Sequence, residues 1–293
     1  MFAAENTTKK VKLVECPRDA MQGWAHNIPS EKKISYLNTL LQVGFDSLDF
    51  GSFVSHKAIP QMADTKQVIA GIVPANSKTR LLAIVANTRG ATEAAGYSQI
   101  HDIGFPFSIS ETFQKRNTNS SINTSLMTVL DMLEICRQKE KRLVVYISMA
   151  FGNPYGDPWS AEIVLQWIRK LVKAGVQVIS LADTVGLATA AQVFELTSSL
   201  IKEFPTVESG VHLHSRRENS IDKLEAAFSA GCRRFDGAIN GIGGCPMAGD
   251  ELVGNMDSLI MIDYFQRKNV LPVLNESALE KSITLANEIF LNH

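Results

Sequence analysis

The sequence has few cysteines, no surplus of charge of either sign and no long run of apolar residues. Its four cysteines (Cys16, Cys136, Cys232 and Cys245) lack the spacing of a zinc cage or a secreted disulfide framework, so we expect reduced thiols. The 29 basic residues nearly balance the 30 acidic ones, which argues against a nucleic-acid surface or a polybasic membrane anchor. No apolar run reaches the roughly 18–20 residues that span a bilayer, and the first residues do not resemble a secretory signal. We therefore expect a cytoplasmic protein that binds neither nucleic acid nor membranes.

Short apolar runs alternate with longer amphipathic stretches throughout the 293 residues, a pattern typical of repeated βα units on a parallel sheet. Eight strands are predicted, at residues 11–15, 47–50, 80–86, 102–107, 143–148, 176–182, 210–214 and 233–238. Helices are predicted between them at 30–43, 61–72, 88–95, 121–137, 161–174, 190–204 and 220–230, and two closing helices at 256–266 and 276–291.

Eight such units predict an α/β protein with a single (β/α)8 TIM barrel. We expect one domain over residues 1–293, with the barrel at about 11–265 and C-terminal helices at 266–293. An open doubly wound sheet is the alternative, but no GxGxxG motif follows a strand. Ser30 is predicted to be the N-cap of its helix, and Gly44, Gly175 and Gly231 to follow their helices at C′ positions.

Two histidines close the seventh predicted strand, His212 and His214. Side chains at i and i+2 of a strand point to the same face, so the two imidazoles would project into one space, as metal ligands do. The alternative interpretation is a hydrogen-bonded pair inside the core. In a barrel, however, this position is the C-terminal end of a strand, where active sites form.

Charged residues follow other predicted strands at the same end of the barrel. Asp19, after the first strand, could complete a mixed His and Asp ligand set for a catalytic Mg²⁺, Mn²⁺ or Zn²⁺ ion. Its neighbour Arg18 presents a planar donor fork that suits an oxygen on which negative charge develops, or a buried partner for Asp49 or Asp183. Asp49 and Asp183 are candidates either for the site or for a structural hydrogen-bond network.

Cys245 lies in the segment GIGGCP at 241–246, which is flexible before the cysteine and stiff after it. This composition suits a mobile lid that carries a thiol over a site, where it could donate or accept a proton. A glycine loop with a packed cysteine is the alternative.

Several segments together resemble the hydroxymethylglutaryl-CoA lyases over about residues 11–255. They are VECPRDAMQ at 14–22, DFGSFVSHKAIPQMAD at 49–64, SLADTVG at 180–186, VHLH at 211–214 and GGCP at 243–246. The resemblance implies a TIM-barrel metallolyase that acts on acyl-CoA thioesters. It also implies a divalent cation, with Mg²⁺ or Mn²⁺ the preferred candidates, and a homodimer.

The resemblance also implies individual roles. Asp19, His212, His214 and Asn255 would bind the ion, Arg18 would hold the thioester oxygen and Cys245 would be the catalytic lid thiol. Asp49, Asp183 and the substrate-binding Gln22 would fall in the same site. The segment at 110–121 is similar to the family's loop near CoA.

The implied reaction is retro-Claisen cleavage of 3-hydroxy-3-methylglutaryl-CoA to acetoacetate and acetyl-CoA, a step of leucine or ketone-body metabolism. Asp183 or His212 would take the hydroxyl proton, and Cys245 or His212 would return a proton to carbon. The sequence departs from the family's usual pattern at Ser215, where Asp is common, and at Asp49, where Glu is typical.

Three alternatives to this activity remain at the level of sequence. The first is a lyase for a bulkier 3-hydroxy-3-alkylglutaryl-CoA. The second is a condensing enzyme of the isopropylmalate or homocitrate synthase type, although only about 40 residues follow Asn255. The third is a non-catalytic scaffold, which the presence of Arg18, Asp19, both histidines and Cys245 makes the weakest.

Overall fold

Eight parallel strands close into a barrel in chain order in the computed structural model, which describes residues 10–244 and 253–291. Each strand pairs with the next along the chain, and the last pairs with the first, with Glu15 opposite Gly237. The TIM-barrel prediction is therefore confirmed. The strands are β1 Lys12–Glu15, β2 Ser47–Ser52, β3 Arg80–Ile84, β4 Ile100–Ser108, β5 Arg142–Ser148, β6 Val178–Asp183, β7 Glu208–Leu213 and β8 Arg234–Gly237.

Helices follow the strands and surround the barrel. They are α1 Pro17–Gln22, α2 Ser30–Leu40, α3 Thr65–Ala70, α4 Thr88–Ala95, α5 Glu111–Thr118, α6 Ile122–Gln138, α7 Ala161–Ala174, α8 Ala190–Glu203, α9 Arg217–Ser229, α10 Ser258–Arg267 and α11 Glu276–Phe290. Short 3₁₀ turns occupy Pro60–Met62 and Ile239–Gly241. Among the described helices, none combines the length and the apolar character that crossing a membrane requires.

Helix α7 illustrates why the predicted helices form. The Ser160 hydroxyl accepts a hydrogen bond from the Ile163 N–H, and the helix ends at Gly175, whose φ of +110° is left-handed. Between these caps, Val164, Leu165, Ile168 and Leu171 form one buried stripe at helical spacing.

Some predicted boundaries and caps are wrong. Ser30 is the first residue of α2 rather than its N-cap, because its hydroxyl donates to Asp64 Oδ2 at 2.7 Å instead of accepting from the helix. Gly44 lies farther past the end of its helix than predicted, whereas Gly231, with a φ of +100°, follows the C-cap Ala230 of α9 at the predicted C′ position. The predicted helix at 61–72 is a 3₁₀ turn followed by α3, and helices α1 and α5 were not predicted.

The barrel interior has an apolar middle and a charged floor. Leu82, Ile84, Val144, Tyr146 and Val178 form a small cluster separate from the main core between strands and helices, as expected for the alternate residues that face inward. At the N-terminal ends of the strands, charged side chains pair across the barrel: Lys12 with Glu208, Arg80 and Arg142 with Asp102, and Arg142 and Arg234 with Glu208. The floor is closed by ion pairs, so the open end is the C-terminal one.

Candidate active site

A cavity of about 470 Å³ lies at the C-terminal end of the barrel. Strands β1 to β7, or the residues just after them, contribute to its wall, as expected for a barrel active site. The polar groups that line it include Arg18, Asp19, Gln22, Asp49, Tyr146, Thr184, His212 and His214. Most of the residues predicted to form the site therefore share one space.

The predicted ligands of a divalent ion converge at one side of this cavity. One ligand atom each from Asp19, His212 and His214 lie within 4.8 Å of one another. The two Nε2 atoms of the histidines are 3.2 Å apart, and Asp19 Oδ2 is 3.9 Å from His212 Nε2. His214 Nδ1 lies 2.8 Å from the Val253 carbonyl, which fixes the proton on Nδ1 and leaves the Nε2 lone pair for a ligand.

Asn255 reaches the same place from the far end of the chain. It forms an isolated antiparallel bridge with His214, and its Nδ2 donates to Asp19 Oδ2 at 2.7 Å and to the Ile242 carbonyl at 2.9 Å. Its Oδ1 is buried and has no hydrogen-bond partner among the described residues. An orphaned amide oxygen, a carboxylate and two facing imidazoles are a donor set that fits a divalent ion.

The electrostatics of the group favour a cation. Burial alone would raise the pKa of Asp19, but Arg18 and the two histidines lower it to about 2. Burial and the neighbouring His212 lower the pKa of His214, which keeps its imidazole neutral. For His212, burial is outweighed by Asp236 and Asp19, so its pKa is raised. A carboxylate held in its charged form beside two imidazoles is an environment that attracts a divalent cation.

Arg18 is held rigidly beside the ligand group. Its Nε donates to both oxygens of Asp49, at 3.2 and 3.1 Å, and its Nη2 donates to Asp49 Oδ2 at 2.5 Å. Its Nη1 donates to Asp19 Oδ1 at 2.9 Å and to Gln22 Oε1 at 2.8 Å. The guanidinium is therefore fixed in orientation while it lines the cavity. Burial raises the pKa of Asp49 to about 6 despite the contact with Arg18.

Comparison with known proteins agrees with this geometry. Residues 10–282 match the model of the HMGL-like protein family. The chain belongs to the HMGL-like family. The predicted family and the predicted class of enzyme, a carbon–carbon lyase, are thereby confirmed.

Relatives of this HMGL-like chain carry related names. It is 35% identical over 244 residues to the 3-hydroxy-3-isohexenylglutaryl-CoA/hydroxy-methylglutaryl-CoA lyase of Pseudomonas aeruginosa, which covers 83% of this chain and 81% of the relative. It is 33% identical over 241 residues to the cytoplasmic 3-hydroxy-3-methylglutaryl-CoA lyase of Danio rerio, which covers 81% and 71%.

Solved structures of this family have the same fold. A hydroxymethylglutaryl-CoA lyase from Pseudomonas aeruginosa superposes with a TM-score of 0.87 at 32% identity, covering 96% of this chain and 93% of that one. An HMG-CoA lyase from Acinetobacter baumannii in complex with coenzyme A and 3-methylmalate superposes with a TM-score of 0.89 at 26% identity, covering 99% and 93%.

Asp183 does not join the other predicted site residues of this HMGL-like chain. It is buried and does not line the cavity. Its Oδ2 accepts a hydrogen bond from Lys223 Nζ at 2.7 Å, and both its oxygens accept from the Ala188 N–H at 3.1 and 3.2 Å. The structure thus places its carboxylate in a structural ion pair, the second of the two interpretations left open by the sequence.

The lid thiol Cys245 lies outside the described residues. The two glycines before it are described, and the surroundings of Gly243 show why the motif has glycine at that position. Its φ is +112°, and a Cβ there would lie 2.5 Å from Asn255 Nδ2 and 2.8 Å from the Asp19 carbonyl oxygen. Only glycine therefore lets the chain pass this close to the ligand group.

Three buried residues near the site were missed by the sequence analysis: Tyr146, Lys223 and Asp236. Tyr146 packs edge-on against the His212 ring, with 5.8 Å between ring centres. Lys223 lies on α9, and its ammonium donates to the His214 carbonyl at 2.9 Å. Asp236 lies on β8 in the alternation Arg-Phe-Asp. Charges at i and i+2 of a buried strand could have identified its inward face.

Proposed function

We propose that this protein is a divalent-metal-dependent lyase that cleaves 3-hydroxy-3-methylglutaryl-CoA to acetoacetate and acetyl-CoA. The observation that carries the proposal is the convergence of Asp19, His212 and His214 beside the fixed guanidinium of Arg18, in a member of the HMGL-like family. The names of the relatives and the coenzyme A complex of the Acinetobacter structure support an acyl-CoA substrate.

Asp19, His212, His214 and Asn255 would hold the ion, for which we propose Mg²⁺ or Mn²⁺. When bound, such an ion holds substrate oxygens and lowers the pKa of the tertiary alcohol. Removal of the hydroxyl proton leads to cleavage of the bond between C2 and C3 of the substrate. The electron pair of that bond forms the enolate of acetyl-CoA, and acetoacetate leaves as the ketone.

Arg18 would stabilise the thioester oxygen of this enolate. Its contacts with Asp49 and Gln22 hold the guanidinium in place before substrate arrives, so little reorganisation is needed as charge develops. A proton from Cys245 or His212 would then convert the enolate carbon to the methyl group of acetyl-CoA.

Of the two bases predicted for the hydroxyl proton, only His212 lines the cavity. Its Nε2 also faces Asp19 and His214, and one lone pair cannot hold an ion and a proton together. His212→Gln separates the roles. If His212 acts as the base, Mn²⁺ affinity is retained while turnover falls; if it acts as a ligand, both fall together.

The decisive experiment is an acetoacetate assay on the purified protein with 3-hydroxy-3-methylglutaryl-CoA and Mn²⁺ or Mg²⁺. We expect turnover that EDTA abolishes and that either metal restores, and loss of at least about 100-fold in Arg18→Gln and Cys245→Ser. Asp263→Asn, on the exposed face of α10, is the matched control. An absence of acetoacetate with both metals present would contradict the proposal.

A second candidate is a longer alkyl group at C3 of the substrate. Part of the cavity wall is apolar and built from small or branched side chains, among them Val54, Ala58 and Ile59. The Pseudomonas relative is named for both an isohexenyl and a methyl substrate. If this candidate is right, kcat/KM for the isohexenyl substrate exceeds that for the methyl one, and Ala58→Leu lowers the former more. A homodimer and a cytoplasmic location are also proposed, on the family resemblance.

A further inference from the structure

We propose that Asp236 is a positioning residue for His212, which sets the tautomer and direction of that imidazole toward the ion. The inference rests on the proposed function only through the ligand role of His212. It concerns the side of the ring that faces away from the cavity.

Asp236 lies directly across from His212 in the sheet. β7 and β8 are adjacent, and their register pairs these two residues, so both side chains point into the barrel. Asp236 Oδ2 is 3.5 Å from His212 Nδ1, whereas His212 Nε2 faces His214 and Asp19. The ring therefore lies between two carboxylates, one on the cavity side and one beneath.

The carboxylate of Asp236 has no other close partner among the described residues. It is buried, and neither of its oxygens accepts a well-formed hydrogen bond from a described residue; His212 Nδ1 likewise makes none. The nearest other cation is Arg234, whose Nη1 is directed to Glu208 at 3.3 Å. Its Nε also has no hydrogen-bond partner among the described residues, but it lies farther from Asp236, at 3.9 Å from Oδ1, than His212 Nδ1 does from Oδ2. Since a buried carboxylate without a donor is costly, a shift of about half an ångström would satisfy both groups.

Such a contact places the proton on Nδ1 and leaves the Nε2 lone pair directed at the ion. The two histidines are then supported differently. His214 donates to a neutral carbonyl, that of Val253, whereas His212 donates to a carboxylate, which makes its Nε2 the more basic ligand. Tyr146 packed against the ring limits its rotation.

Long-range ¹⁵N–¹H spectra of the full chain saturated with Mg²⁺ test the tautomer directly, because the ion displaces any proton that the two facing Nε2 atoms share at 3.2 Å. We expect His212 protonated at Nδ1 in the wild type, a weaker preference in Asp236→Asn, which keeps an acceptor oxygen, and loss of the preference in the similarly shaped Asp236→Leu. A wild-type His212 protonated at Nε2 alone would overturn the proposal, and this result needs no variant to fold and no substrate.

Titration with Mn²⁺ followed by electron paramagnetic resonance supplies the second readout. We expect Asp236→Asn to weaken Mn²⁺ binding by about 10- to 100-fold at an unchanged thermal midpoint, with Asp263→Asn as the matched control. Equal affinity in wild type and Asp236→Asn would refute the role. Cys16 Sγ lies near the same pair, so binding of a second ion that Asp236→Asn abolishes would make Asp236 a ligand and also overturn the proposal. If the spectra and the Mn²⁺ titration give the expected results but the lyase assay shows no acetoacetate, the proposed function is wrong and the positioning role of Asp236 stands.

Discussion

Replacing Lys223 with Met should cost about 3–5 kcal/mol of unfolding free energy, because it removes one half of a buried ion pair. Lys223 is 1% exposed, and its Nζ lies 2.7 Å from Asp183 Oδ2. The same ammonium donates to the carbonyls of His214 at 2.9 Å and Gly186 at 3.3 Å. Methionine fills a similar volume but leaves Asp183 as a buried anion whose remaining donor is the Ala188 N–H.

Substitution of the other member of this ion pair, Asp183, should cost less unfolding free energy. Asp183→Asn keeps an acceptor for Ala188, and Lys223 still donates to two carbonyls, so we expect about 1–3 kcal/mol. In the double variant neither a buried carboxylate nor a buried ammonium remains. Its cost should therefore be smaller than the sum of the single costs by about 1–3 kcal/mol.

Urea unfolding followed by circular dichroism measures these differences. Lys33→Met is the matched control, since Lys33 is buried and pairs with Asp64 at 2.8 Å, but the Asp64 side chain is 22% exposed and can be hydrated after the change. We expect it to cost less than Lys223→Met. A cost below about 1 kcal/mol for Lys223→Met, or additivity of the two single changes, would refute the reasoning.

Three further changes test other parts of the structure. Burial raises the pKa of Glu15 from 4.5 to about 8, so the native state holds this proton more tightly than the unfolded state does. Stability should fall by a few kcal/mol between about pH 4.5 and 8, and Glu15→Gln should flatten that fall in unfolding curves taken across the range. Gly243→Ala should weaken Mn²⁺ binding at least about tenfold in the same resonance titration, because its Cβ would collide with Asn255; unchanged affinity would contradict this. Asp102→Ala removes the carboxylate partner of Arg80 and one of the two carboxylate partners of Arg142, and should cost about 1–3 kcal/mol in urea unfolding with KM unchanged.

The parts of the fold that the sequence predicted are those with strong periodicity. Helices α4 and α7 have the predicted bounds, since each combines an N-cap side chain with a buried stripe. Helix α1 was missed because it is six residues long, starts at a proline and is almost wholly buried, so no exposed face alternates with an apolar one. Helix α5 was missed because its residues are mostly polar, and only Phe113 and Gln114 are buried.

The residues of the site also fall into two groups, those predictable from local sequence and those whose place depends on contacts between distant segments. His212 and His214 could be paired from sequence because the spacing of two along a strand is a local property. The family resemblance supplied Asn255, whose place depends on a bridge between segments 41 residues apart in sequence. The partner of Asp183 was not predictable, because Lys223 lies on a helix whose exposed face looks ordinary and whose buried position depends on how α9 packs.

Closure of the barrel connects these observations. Asp19 follows β1, the histidines end β7 and Asn255 follows β8, so the donor set forms only when β1 pairs with β8. Glu15 reinforces that seam, because its two carboxyl oxygens contact the Ile239 N–H and the Ser258 hydroxyl, one on each side of the segment that carries Asn255. An ion that binds all four donors would therefore bind the closed barrel far more tightly than any partly opened form, and its affinity adds to the stability of the seam.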